Sequence, residues 1–259
     1  MTAEARIDVT TTDQIVRECV AQSGERTELW VRFIRSAKVE QMVEVGVYRG
    51  DFASKLLKAC DFLKRYYMID PWRHLTHWNK PANKEDRFFE QFLSETKAKT
   101  DFAAEKRVIL RGKTTEVVDQ ISDGQLDFAY VDGDHTLRGI AIDLIRIYPK
   151  VRTGGWIGGD DFSRTVWQHP TRFEPTFVFP FAVYFAEAMG ARIYALPFAQ
   201  FLIEKKEARS FAFVDLTGRY DDTTLRDQLR PCQVLKLRIT EAFRFVINLA
   251  KRAKTFFSG

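Results

Sequence analysis

Two short apolar runs that each stop on acidic residues do most to limit how this chain can fold. Phe128 to Val131 runs into Asp132-Gly133-Asp134-His135, and Trp156-Ile157 runs through Gly158-Gly159 into Asp160-Asp161. Both read as buried strands. Between them, Gly139 to Tyr148 places Ile140, Leu144, Ile145 and Tyr148 at helical spacing, which turns one face inward. The order is strand, helix, strand. In open α/β sheets the ligand crevice lies beyond the carboxyl ends of the parallel strands, so this unit would present Asp132, Asp134, Asp160 and Asp161 where chemistry takes place.

The remaining chain continues the alternation. Asp13 can cap a helix through about Ala21, and Glu25 to Ala37 gives a second one with Leu29, Trp30, Phe33 and Ile34 on its apolar face. Residues 1–38 read as a helical flank. Gln41 to Val45 is a strand that passes through the turn Gly46 to Gly50 into a helix beginning at Asp51 or Phe52. Lys64 to Ile69 is the next strand and ends on Asp70-Pro71-Trp72. A polar loop holding His74, His77 and Trp78 leads to a helix with Phe88, Phe89, Phe92 and Leu93 inward, then a strand from Arg107 to Leu110 and a helix from Thr115 to Ile121. Such alternation predicts a mostly parallel sheet covered on both faces. Arg164 to Pro180, with Pro170, Pro175 and Pro180, reads as an irregular segment at the rim. After a helix from Phe181 to Met189, the strands Arg192 to Leu196 and Gln200 to Glu204 are separated only by Pro197, Phe198 and Ala199. Three residues cannot make a parallel crossover, so this pair is expected to be antiparallel.

Composition excludes more than it assigns. The 259 residues are 45% hydrophobic and 14% aromatic, enough for a full core. A net charge of +5 spread along the chain gives no reason to expect nucleic acid. Cys19, Cys60 and Cys232 lie too far apart for a zinc or redox motif. No signal-peptide pattern or membrane-length apolar segment is present, and the expected location is cytoplasmic. Residues 210–259 read as an extension. From Pro231 onward, apolar residues such as Leu235, Ile239 and Phe243 are interleaved with Lys236, Arg238, Arg244, Lys251, Arg252 and Lys254. That pattern suits an anionic membrane surface or a partner's groove, and equally a helix packed back on the domain or on a dimer mate.

The first turn, Glu44-Val45-Gly46-Val47-Tyr48-Arg49-Gly50, has the spacing E-x-G-x-x-x-G and lacks the G-x-G-x-x-G of dinucleotide folds. An acid entering the loop disfavours a pyrophosphate and suits a ligand bearing ammonium and sulfonium groups, which sets a nicotinamide-dependent oxidoreductase behind the other readings. Asp70, at the end of the next strand, is placed to accept hydrogen bonds from two ribose hydroxyls.

With VEVGVYRGDF, YYMIDPW, LDFAYVDGDHT, GGWIGGDDF and LPFAQFLIEK together, the chain resembles class I S-adenosylmethionine-dependent methyltransferases over roughly Glu28 to Lys206. The branch is similar to the macrocin and sugar O-methyltransferases and, more distantly, to catechol O-methyltransferase. The resemblance implies an α/β, Rossmann-like domain at residues 39–209, with a seven-stranded, mostly parallel sheet, an antiparallel last strand and helices on both faces. It implies cofactor contacts at Glu44, Gly46 and Gly50 for the methionine end, Asp70 for the ribose, Arg111, Gly112 and Lys113 for the adenine, and Asp132 near the amino group. It further implies a magnesium ion held by Asp132, Asp160 and Asp161, with Asp134 as general base and His135 as the next residue for that role. The expected reaction is O-methylation of a small hydroxylated acceptor such as a sugar or natural product; methyl transfer without this metal, or to another nucleophile, is the alternative. The loop from Ser163 to Phe179 matches nothing that names the acceptor.

Overall fold

The computed structural model describes residues 9–207, 210–220, 232 and 235–244. Its frame is a single sheet of eight strands in the order β3-β2-β1-β4-β5-β7-β6-β8. These are β1 (Gln41–Val45), β2 (Arg65–Asp70), β3 (Arg107–Arg111), β4 (Leu126–Val131), β5 (Val151–Gly159), β6 (Arg192–Leu196), β7 (Gln200–Glu204) and β8 (Ala212–Asp215). The first five are parallel, and β7 is antiparallel to both β5 and β6, as the three-residue connection required. This is the α/β, Rossmann-like architecture that the resemblance implied, with one strand more than expected. The additional β8 runs parallel to β6 at the sheet edge, so the sheet continues past residue 209. Its four half-buried residues carry too little apolar alternation to announce a strand.

Helices cover both faces. On one lie α1 (Val9–Gln22), α2 (Arg26–Ser36), α3 (Asp51–Ala59) and α4 (Asp86–Lys99); the other carries α5 (Thr114–Val117), α6 (Leu137–Ile147) and α7 (Val178–Met189). The Thr115–Ile121 helix expected from sequence is split into short α5 and a 3-10 turn, Val118–Gln120. The α7 helix starts three residues earlier than expected because Pro180 falls in its first turn, where a missing N–H costs nothing.

The glycine pair in β5 shows how the N-terminal flank is fixed to the sheet. A Cβ on Gly158 would lie 2.3 Å from Trp30 Cη2, and one on Gly159 would lie 2.5 Å from Phe201 Cε1. Glycine there lets the fully buried Trp30 approach the strand backbone, a close approach that outweighs the usual penalty for glycine inside a strand. Trp30 also donates to Gln200 Oε1 at 2.8 Å and packs edge-on against Phe33 and Tyr130. The N-terminus of α2 is thereby held over the carboxyl ends of β4 and β5.

Of the C-terminal extension, residues 235–244 are helical, with Leu235, Ile239 and Phe243 exposed and spaced four residues apart. Glu241 accepts from Thr171 N at 2.7 Å, which ties this helix to the rim loop. The rest of the stretch from Pro231, including Lys251, Arg252 and Lys254, lies outside the described residues, except for Cys232.

Candidate active site at the carboxyl rim of the sheet

The register aligns Val45 with Ile69 on one side and with Val131 on the other, and Val131 with Gly159. The segments that follow these residues therefore meet at one edge. Gly46 N donates to Ile69 O at 2.9 Å and Asp132 N to Val45 O at 2.8 Å, while a Cβ on Gly46 would lie 2.0 Å from Asp132 O. At φ 89° Gly46 also occupies the region that disfavours side chains. Gly46→Ala should destabilise the fold by about 2–3 kcal/mol, from backbone strain plus displacement of the Asp132 peptide, measured by denaturant unfolding. An unchanged midpoint would mean that the two loops are not in contact.

Asp70 caps this turn. Its Oδ2 accepts from Tyr48 N and its Oδ1 from Trp72 N, each at 2.8 Å, and the carboxylate is buried. Burial raises its pKa while the backbone donors oppose that rise. Gly112 N donates to Asp70 O at 2.9 Å, which brings the loop after β3 beside it. In that loop Arg111 is paired with Glu90 and Trp72 O, and Lys113 with Glu116. Glu44, predicted to bring a negative charge to the turn, is instead buried and accepts from Tyr66 Oη at 2.6 Å. Burial pushes its carboxyl up to about 8, and the bond from Tyr66 only partly opposes that. At neutral pH it is mainly an uncharged acid.

At the other half of the rim, Asp132, Asp160, Asp161 and His135 converge, as the sequence suggested. What the sequence did not reveal is the second cation among them. Arg26, in the first turn of α2, bonds through Nη1 to Asp160 Oδ2 and lies 3.3 Å from Asp132 Oδ2. Gln200 Nε2 donates to Asp160 Oδ1 at 2.6 Å. His135 Nδ1 is in contact with Asp161 Oδ2, and its Nε2 lies 3.3 Å from Asp132 Oδ1 without hydrogen-bond geometry, buried and unpartnered among the described residues. Burial alone would lower the imidazole's pKa, but Asp132 and Asp161 outweigh it and hold the value at about 10. Asp160 is raised to about 6 by burial and by Asp132, against the pull of Arg26. Asp161 is lowered, because His135 overcomes the effect of its burial.

Asp134 stands apart from this group. Its Oδ1 accepts from Trp78 Nε1 at 2.8 Å and Thr136 N at 3.0 Å, and its Oδ2 from Thr136 Oγ1 at 3.0 Å. Thr136 in turn caps α6 through Gly139 N. A further buried acid, Asp143 of α6, accepts from Thr114 Oγ1 at 2.6 Å and joins the loop after β3 to the Asp132 loop. Of the aromatic loop after Asp70, Trp72 is buried, Trp78 anchors Asp134, and His74 and His77 are exposed. His169, which had no partner in sequence, comes within electrostatic range of Asp161 and Lys80.

Backbone strain gathers here as well. Tyr48, Trp72 and Asp161 have φ of 53°, 38° and 55°, conformations that non-glycine residues adopt at a cost of about 1–3 kcal/mol and that cluster at functional sites. Beyond Ser163, a cavity of about 530 Å³ lies between Arg164, the β6–β7 turn and Tyr220; none of the predicted site residues lines it.

Comparison with known proteins agrees with this fold. The family model described as "Methyltransferase domain" matches residues 43–162, from β1 through the Asp160-Asp161 turn. No curated protein matches the chain. Among solved structures, a Staphylococcus aureus protein assigned as a caffeoyl-CoA O-methyltransferase is 15% identical, with a TM-score of 0.52 over 74% of this chain and 91% of its own. An O-methyltransferase from Bacillus cereus in complex with SAH is 12% identical, with a TM-score of 0.50 over 78% of this chain and 94% of its own. At these identities the likeness is one of fold. Residues 43–162 of the chain match a methyltransferase domain, set within a sheet of the methyltransferase fold.

Proposed function

We propose that the protein is an S-adenosylmethionine-dependent O-methyltransferase for a small hydroxylated acceptor, with His135 as the proton-accepting residue. The observation that carries this reading is the imidazole held between Asp132 and Asp161 at the carboxyl rim, with Nε2 buried, 3.3 Å from Asp132 Oδ1 and, among the described residues, in no hydrogen bond of good geometry. For the cofactor, the turn from Gly46 to Gly50 and Asp70 lie together at the ends of β1 and β2, where the resemblance puts the methionine and ribose contacts. Gly46 and Gly50 leave no room for side chains, since a Cβ on Gly50 would lie 2.9 Å from Thr96 Cγ2, and Asp70 stands at the end of β2 beside Gly112. When bound, S-adenosylmethionine supplies a methyl group made electrophilic by its sulfonium.

The chain's own task is to align a hydroxyl and remove its proton. Asp161 orients the imidazole through Nδ1 and Asp132 faces Nε2, the nitrogen proposed to take the acceptor's proton, and the low dielectric of a buried site strengthens both contacts. Alignment itself supplies a large share of the acceleration. Asp134, with both oxygens engaged by Trp78 and Thr136, acts in this scheme as the anchor of the loop that carries His135.

A magnesium ion at Asp132, Asp160 and Asp161, as the resemblance implies, does not fit the side chains as arranged. Arg26 bridges two of these carboxylates and His135 bridges the third to Asp132. Among the described residues no group of three His, Cys, Asp or Glu side chains is disposed to hold an ion. No step is routed through a metal.

The cofactor assignment is tested by calorimetry. Wild type should bind S-adenosylmethionine, and Asp70→Ala should weaken it by about 1.5–3 kcal/mol, the scale for hydrogen bonds to a charged group. Unchanged affinity in a folded Asp70→Ala variant would remove Asp70 from the site.

A further inference from the structure

The three carboxylates at this rim pose an electrostatic problem. Crowded acids repel and raise one another's pKa unless cations lie between them. A hard divalent ion with oxygen ligands is one solution. This chain contains another. Arg26 enters from α2, outside the matched domain, and its Nη1 reaches both Asp160 and Asp132. The guanidinium also sits over the Phe52 ring, 5.4 Å from the centroid, an attraction that favours a cation at that position. Its carrier helix cannot easily withdraw. Trp30, one turn further along α2, is fully buried against Gly158 and bonded to Gln200, and the same Gln200 amide donates to Asp160. One network thus fixes the guanidinium and the carboxylate together. The side chain is 36% exposed, so it lines the crevice instead of being sealed in the core.

We propose that Arg26 is a built-in cation of the active-site rim, occupying the place of a divalent ion between Asp132 and Asp160, so that the N-terminal flank completes the site and the wild-type chain recruits no metal there. A guanidinium presents a fixed fork of donors and keeps its charge at any working pH, so it can neutralise the two acids without competing for protons. Among the described residues only Nη1 is engaged, which leaves the other N–H groups to meet the acceptor's oxygen. Removing the guanidinium leaves three carboxylates with only His135 between them, oxygen donors that are then free to turn toward a hard cation.

The proposal rests on the methyltransferase reading for its setting, but its test does not require turnover. Free Mn²⁺ is followed by electron paramagnetic resonance as the full chain is titrated, in wild type, Arg26→Ala, Arg26→Gln and Arg26→Lys. Wild type and Arg26→Lys are expected to leave millimolar Mn²⁺ free. Arg26→Ala and Arg26→Gln, each without the charge, should bind it on the order of tenfold more tightly or better. The glutamine variant keeps most of the side chain's length and serves if the alanine variant does not fold. Equal Mn²⁺ affinity in wild type and the neutral variants would overturn the proposal, as would weak binding in all four. S-adenosylmethionine binding, measured on the same samples, separates the two readings: if wild type fails to bind it, the proposed function falls while the Mn²⁺ comparison still decides the role of Arg26.

Discussion

Replacing His135 with Gln should lower turnover by roughly two to four decades while leaving the affinity for S-adenosylmethionine within about twofold, the pattern of a lost general base. Glutamine keeps a polar side chain that Asp161 can still hold, so the loop between β4 and α6 should keep its course, helped by the bond from Phe177 N to His135 O at 2.9 Å. The pH dependence follows from the same geometry. Asp132 and Asp161 keep the imidazole protonated to about 10, and a base must be neutral to accept a proton. Wild-type turnover should therefore rise with pH through the neutral range, by up to tenfold per unit, and level off as the imidazole loses its proton. The glutamine variant should lack that rise. Single-turnover rates on a hydroxylated acceptor, measured from pH 6 to 10 in both forms, check this. A parallel rise in the two forms would assign it to the acceptor's own hydroxyl and remove His135 from the proton path.

Much of this arrangement was legible before any coordinates, and the reason is periodicity. The strands β1, β6 and β7 fall where short apolar runs bounded by turn residues placed them, because a strand buried on both faces is written as a short run of apolar residues. The convergence of Asp132, Asp160, Asp161 and His135 was legible too, since strand ends in a parallel sheet share one edge. What could not be read are contacts that depend on how layers pack. Arg26 is an ordinary basic residue at a helix start, separated from Asp132 by 106 positions. Nothing local distinguishes it from Arg32, which pairs within its own helix with Glu28. Gln200 offered one signal, a polar residue opening a buried strand with Phe201, Leu202 and Ile203 at its centre, and burial makes such a residue seek partners. The resemblance gave Asp134 the role of base, but both of its oxygens accept hydrogen bonds from Trp78 and Thr136, a competition visible only once the loop after β2 folds over it.

Glu44 is where sequence reasoning about charge meets the larger energetic consequence. Its carboxyl is buried among Tyr66, Tyr130 and the rim acids, with a pKa pushed up to about 8 first by burial and then by Asp132 and Asp70. The folded state therefore holds this proton more tightly than the unfolded chain does. Stability linked to it is fully present below the unfolded value of about 4.5 and declines as pH rises toward 8, above which the cost stays constant. Asp143, raised to about 7 mainly by burial, acts in the same direction over a lower window. Glu44→Gln replaces the neutral acid with a neutral amide that can still accept from Tyr66 Oη. The variant should lose the part of the slope that Glu44 supplies, gaining on the order of a few kcal/mol relative to wild type between pH 5 and 8.5. The residual slope is shared by Asp143, Asp160 and His135, whose folded values are also raised, and adding Asp143→Asn should remove only the share of Asp143. Urea unfolding at half-unit pH steps makes the comparison. Equal slopes in wild type and Glu44→Gln would mean that Glu44 is ionised in the folded protein, which would restore it as a negative charge facing the methionine end of the cofactor.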